Sequence, residues 1–186
     1  MTPASPRTVV RSLRLRQPLF DLLERDAAAK GISVNALVTS ILTQYAEWDR
    51  FAEKFGFVSI ARVGYIALLD ALSDEKLEEV GERIGRQNPR DMTLFWFKRL
   101  GIEPFLAYLN LVSRYSRTAR IEVERSGSDV TLLVYHDLNE RHSRLLRRLF
   151  GAAIHSVVGV VPRSQLGRNS VVFRFRVPSD VPDSVD

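Results

Sequence analysis

The chain of 186 residues carries 27 lysines and arginines against 22 aspartates and glutamates, a formal charge of +5, with 45% hydrophobic residues, 26% charged residues and no cysteine. These proportions describe an ordinary globular chain, long enough for one fair-sized domain or two small ones. The lack of cysteine excludes disulfides, thiolate catalysis and Cys-ligated metal sites and points to a reducing, cytoplasmic setting; no apolar run approaches the ~20 residues of a membrane span, and the opening MTPASPRTVVRS lacks an apolar signal core.

Only Lys30, Lys54, Lys76 and Lys98 are lysines, so 23 of the cations are arginine, the side chain suited to bidentate contacts with phosphate and guanine. Arg7, Arg11, Arg14 and Arg16 stand among residues 1–17 with no acid, whereas residues 18–186 hold 23 cations and 22 anions. The excess charge is therefore an N-terminal feature, as suits a segment that faces a polyanion.

In chain order, residues 1–7 read as a flexible tail, because Pro3 and Pro6 oppose regular structure. Val9, Arg11, Leu13 and Leu15 then alternate with Val10, Ser12, Arg14 and Arg16, the period of a short strand. Pro18 opens a helix with Leu19, Leu22, Leu23 and Ala27 on one stripe, and Gly31 stops it. Ser33 caps a second helix that runs through Leu37, Ile41, Tyr45, Trp48, Ala52 and Phe55 to Gly56, with Val34, Val38 and Leu42 widening its apolar arc. A strand with no partner within ~40 residues cannot satisfy its own backbone groups. Two chains can: their strands would pair as an antiparallel ribbon while their helices share one core.

The segment SLRLRQPLFDLLERDAAAKGISVNALVTSILTQY, Ser12 to Tyr45, resembles the ribbon-helix-helix DNA-binding domain of the Arc, MetJ and CopG type repressors, above all in the turn Gly31-Ile32-Ser33-Val34-Asn35 and the apolar spacing around it. The resemblance covers residues 8–50. It implies an intertwined homodimer whose ribbon enters the major groove, with Val10, Ser12 and Arg14 at base edges and the start of the second helix, Ser33, Val34 and Asn35, on a phosphate. Arg11 departs from the family pattern, since an inward position usually apolar holds an arginine; with Arg7 and Arg16 it is assigned to phosphate. Chemistry supports the role independently, because Arg14 can give two hydrogen bonds to guanine and Ser12 can donate or accept at several bases.

Residues 57–178 read as a helical section followed by a β-β-α-β unit with a small antiparallel sheet, which makes the whole chain α+β. The expected helices are Val63 to Leu72, a Ser73-capped helix to Gly85, Arg90 to Leu100 after Pro89, and Glu103 to Tyr115. Ala119 to Arg125 and Val130 to Tyr135 form a hairpin, Asn139 to Val158 is helical, Pro162 to Asn169 is a loop, Ser170 to Val177 is the last strand, and residues 179–186 are an acidic tail. This part is faintly similar to uncharacterised archaeal proteins that join a ribbon-helix-helix segment to an α+β domain, which implies no activity.

Candidate chemistry outside the N-terminal segment is sparse. His136, Asp137 and His142 could offer metal ligands near a strand end, but no HExxH or HxH pattern accompanies them, and a histidine that closes a strand is the plainer reading. No GxSxG surrounds a serine, and Gly81 to Gly85 follows no strand and is neither a P-loop nor a dinucleotide fingerprint. Arg141, Arg144, Arg147 and Arg148, with Arg174 and Arg176 on the last strand, could bind an acidic ligand, flanking phosphates or a second protein, but the plainer reading is the solvated face of a helix whose apolar stripe is Leu145, Leu149, Ala152 and Ala153. No cofactor, metal or enzymatic activity is expected. The sequence points to a cytoplasmic, nucleoid-associated transcriptional regulator that binds inverted or repeated half-sites of double-stranded DNA as a homodimer or higher oligomer. Its C-terminal domain would oligomerise or sense an effector. Two other readings are an antitoxin-like or scaffold module that grips a protein partner and an enzyme with a DNA-binding appendage.

Overall fold

The computed structural model describes residues 9–178, and the chain falls into two compact units that divide between Phe55 and Gly56. The proposed tails, residues 1–7 and 179–186, lie outside the described residues.

In the first unit, residues 9–16 take no regular secondary structure, and the first strand of the chain begins only at Arg120. The strand expected from Val9 to Leu15 is therefore not formed in the single chain. The reason is physical: a strand exists through its ladder, and this segment has no other strand in its unit. Helix α1, Gln17–Ala29, follows with Pro18 in its first turn. Gly31 at φ +65° ends it, with Gly31 N–H donating to Ala28 O and Ile32 N–H to Ala27 O, both at 3.1 Å, a Schellman closure. Ser33 Oγ accepts from Ala36 N–H at 3.1 Å and starts α2, Val34–Gln44, which continues through a π-helical turn at Tyr45–Asp49 into α3, Arg50–Ala52.

The second unit contains α4 (Arg62–Asp70), α5 (Asp74–Phe97), α6 (Ile102–Tyr115), the hairpin β1 (Arg120–Ser126) and β2 (Asp129–Tyr135), α7 (Glu140–Val158), β3 (Arg163–Leu166) and β4 (Ser170–Arg176). The sheet is antiparallel throughout, in the order β1-β2-β4-β3, with Val134 opposite both Ile121 and Val171, and Leu132 opposite Val123 and Phe173. Gly127, at φ +60° in the first central position of a two-residue turn, closes the first hairpin. Leu132, Val134, Val171 and Phe173 are fully buried on the face where the Phe150 ring of α7 meets Phe173 edge-on at 6.3 Å. The opposite face carries Glu122, Glu124, Thr131, Arg163 and Arg174.

Two elements differ from the expected order. The residues expected to form two helices on either side of Pro89 make one, because α5 runs through the proline; Gly85 lies inside the helix and does not end it. A mid-helix proline forfeits one backbone hydrogen bond, and the long contact with α7 outweighs that loss. The unit is also β-β-α-β-β, not β-β-α-β, because Arg163–Leu166 within the expected loop pairs with β4. The strand Arg-Ser-Gln-Leu has no apolar alternation to announce it and is held by its partner as a short sheet edge.

Helices α5 and α7 meet at backbone distance. A Cβ at Gly81 would lie 2.7 Å from the Leu145 carbonyl oxygen, and one at Gly85 would run into the Leu149 carbonyl outright, whereas Gly151 has open space around it. Beside this seam, Leu69 of α4, Leu77 of α5 and Leu145 of α7 form a buried cluster flanked by Tyr65, Leu72 and Val80. Gly85→Ala is therefore expected to destabilise the fold by about 1–3 kcal/mol through overpacking, although alanine is the better helix former. Gly151→Ala should stabilise it by up to about 1 kcal/mol. Urea unfolding of the two variants beside the parent chain checks both signs.

Candidate functional site

The residues expected to contact DNA fall at two places in the first unit. Val10, Arg11, Ser12, Arg14 and Arg16 are all exposed, Val10 to 90%, along the irregular stretch that leads into α1. Arg11 Nη1 turns back onto the Val10 carbonyl at 3.4 Å, and Arg16 stands at the N-cap of α1 with extended backbone and no side-chain cap. Arg7 lies outside the described residues.

At the start of α2 the Ser33 hydroxyl is spent on the Ala36 amide, and Leu37 N–H closes the first helical bond on Ser33 O at 3.0 Å. The amides of Val34 and Asn35 precede that bond and point out of the helix end, the geometry in which a helix N-terminus receives an anion.

The unit leaves much of its apolar surface in water. Among the described residues its buried apolar side chains are Ala27, Leu37 and Trp48 alone, while Leu13 is 65% exposed, Leu42 55% and Tyr45 59%, and Leu15, Leu19, Leu22, Ile32 and Ile41 are exposed as well.

In the second unit the arginines of α7 are internal partners of α5. Arg141 donates from Nε to Leu69 O at 3.0 Å and from Nη1 to Asp74 at 2.8 Å, and Arg144 reaches the same carboxylate at 2.8 Å. Arg147 and Arg148 both grip Glu78, each with a bond of 2.8 Å, and the hydrogen bond from Arg148 holds the Glu78 carboxyl below its ordinary range. Arg176 holds Asp129 with two bonds of 2.9 and 3.0 Å. The expectation of a purely solvated arginine face thus gives way to an ion-pair row, whose partly exposed pairs contribute about 0–1 kcal/mol each.

The structure brings His136 and His142 together, edge to face with 4.6 Å between ring centroids, but gives their nitrogens other work. His136 Nδ1 accepts from Leu138 N–H at 3.1 Å, so its proton sits on Nε2 and is donated to Ser143 Oγ at 2.8 Å; that hydroxyl in turn donates to Arg168 O at 3.1 Å. A serine whose proton is committed to a carbonyl, beside a histidine that donates to it, is the reverse of a nucleophile and its base. Asp137 turns away from the imidazoles and pairs with Arg62, and among the described residues no three His, Asp or Glu side chains form a metal-binding group. His142 Nδ1 meets Tyr65 OH at 3.1 Å, while its Nε2, in a side chain 1% exposed, has no hydrogen-bond partner. Sequence patterns could not show this network, because Tyr65 reaches His142 from 77 residues away.

Comparison of the chain with protein-family models, with curated proteins and with solved structures gives no match. Among the described residues no helix is long and apolar enough to cross a membrane.

Burial, and then the neighbouring His136, pushes the pKa of His142 from 6.5 down to about 4, with the Thr118 backbone opposing the shift. Unfolded, the imidazole takes its proton near pH 6.5; folded, only near pH 4. Stability from this group is therefore fully present above about pH 6.5 and is lost as the pH falls toward 4. A loss of about 2 kcal/mol between pH 7 and pH 5 is expected from its linkage. Urea titrations at the two pH values should show the drop, and His142→Gln should flatten it.

Proposed function

We propose that the chain is a homodimeric, sequence-specific double-stranded-DNA-binding protein of the ribbon-helix-helix kind, acting as a transcriptional regulator at the chromosome. The observation that carries this reading is the pairing, in one small unit, of an exposed basic segment without a strand partner and a two-helix body without cover for its apolar face. A second copy completes both. Residues 9–15 of two protomers align antiparallel and satisfy each other's backbone groups, while α1 and α2 of one protomer cover those of the other.

The energies favour association. Eight large apolar side chains, Leu13, Leu15, Leu19, Leu22, Ile32, Ile41, Leu42 and Tyr45, are exposed in each protomer. Even at about 1 kcal/mol each, below the ~1.5–3 of full burial, the side chains of two protomers match or exceed the ~4–15 kcal/mol cost of association. Pairing would also set Val10, Ser12 and Arg14 on one face of a doubled ribbon of a width that fits the major groove. Arg11, Arg16 and the Val34 and Asn35 amides are then left for flanking phosphates, with Arg7 from the segment before them.

Arg14→Ala is expected to weaken binding to a selected operator by about 1–3 kcal/mol and to relax base preference at one position of each half-site. Binding to random duplex should change far less, and affinity should fall steeply with salt through counterion release. Duplex selection followed by titration at several salt concentrations reads all three. A chain that sediments as a monomer at micromolar concentration, or an Arg14→Ala variant with unchanged affinity and sequence preference, would overturn the assignment.

A further inference from the structure

The open face of the sheet carries charge of opposite sign at its two edges. Along one row the register runs from Glu124 on β1 through Thr131 on β2 and Arg174 on β4 to Arg163 on β3, all on the face away from α7. The neighbouring row runs Glu122, Leu133, Val172 and Gln165. The face is thus acidic along β1 and basic along β4 and β3. Between the edges Leu133 and Val172 are half-buried cross-strand neighbours.

Part of this charge is satisfied within the chain. Glu122 accepts from Tyr135 OH at 2.7 Å, and Asp129 holds Arg176 at the end of the sheet. Glu124, Arg163 and Arg174 are exposed and, among the described residues, make no hydrogen bond or ion pair. Arg163 and Arg174 are moreover direct cross-strand partners, an arrangement in which like charges repel. Glu124 lies three strand spacings from Arg163, roughly 14 Å at ~4.8 Å per strand. Side chains that stand off the sheet do not close that gap, so both signs are left for a partner.

We propose that this face is an interface between two copies of the chain, packed sheet on sheet about a two-fold axis that runs along the strands. Turning the sheet about that axis keeps each row in place and exchanges its edges. Glu124 of one copy then faces Arg163 of the other, Thr131 faces Arg174, and Leu133 meets Val172. Each contact occurs twice by symmetry. The face is therefore complementary to itself, with an apolar centre between two charged edges. A nucleic acid fits it less well, because Glu122 and Glu124 would repel phosphates along one edge. The inference goes beyond the proposed function, since it concerns the second unit alone and calls on neither the ribbon nor DNA.

The test exploits the absence of cysteine from the chain. Thr131→Cys places a single thiol near the axis, and stacked sheets stand about 10 Å apart, so the thiols of two copies come within reach of a short bis-maleimide. The full chain with this reporter should be linked into dimers, whereas Gln87→Cys, a thiol on the exposed side of α5, should be linked far less. Adding Glu124→Arg, or Arg163→Glu, to the reporter should weaken association about tenfold, because two pairs turn repulsive at once. Refolding the two altered chains together should restore linking, because in the mixed dimer every acid again faces a base. Neither a folding defect nor a contact within one chain produces such a rescue. Linking of Thr131→Cys no better than that of Gln87→Cys, or a mixture that links no better than its components, would overturn the proposal. The linker reads the sheet face, so a chain that dimerises only through its first unit fails here with the ribbon reading intact. A chain linked here yet indifferent to DNA does the opposite.

Discussion

At positions 81 and 85 of α5 only a hydrogen atom fits between the helix and the carbonyls of Leu145 and Leu149 on α7, and the second unit is arranged around that approach. With the two backbones this close, the carboxylates Asp74 and Glu78 come within reach of Arg141, Arg144, Arg147 and Arg148, so the polar row is a consequence of the apolar fit. The same helix then sends Phe150 against Phe173 on its sheet side and carries His142 and Ser143 to the end of β2. Small residues here do not loosen a helix; they set the distance at which dispersion and ion pairing can both act.

A different constraint governs the first unit, where the chain is too short and too thin to cover itself. Two helices joined by a Schellman turn bury little between them, and each apolar stripe has a solvent side. Residues 9–16 show the same deficit in the backbone: an alternating sequence supplies the faces of a strand but not its hydrogen-bonding partner. Such a segment forms a strand only where another strand pairs with it. This is why a sequence that reads plainly as extended and amphipathic is irregular in one chain.

Legibility follows from where each signal is stored. The Gly31 stop, the Ser33 cap and the Gly127 turn are readable because each is a local backbone demand met by one residue type. Pro89 misled for the same reason: its local rule is a break, and only the contact with α7, more than 50 residues away, reverses it. β3 was hidden because Arg163, Ser164 and Gln165 carry no period of their own. The histidine network was hidden too, since Tyr65 of α4 meets His142 of α7 and no spacing rule links them. On the arginines of α7 the pattern gave the right face but not the carboxylates opposite it.

Charge is unevenly distributed along the chain. From residue 18 onward cations and anions are nearly equal in number, and in the second unit many are matched one to one or two to one in identifiable pairs. On α7 the carboxylates of α5 offset the arginines and leave little positive potential along that face. The stretch from Arg11 to Arg16 differs, because no acid stands within it in the sequence. Cations gathered without an acid between them repel one another, and an anionic ligand relieves that repulsion.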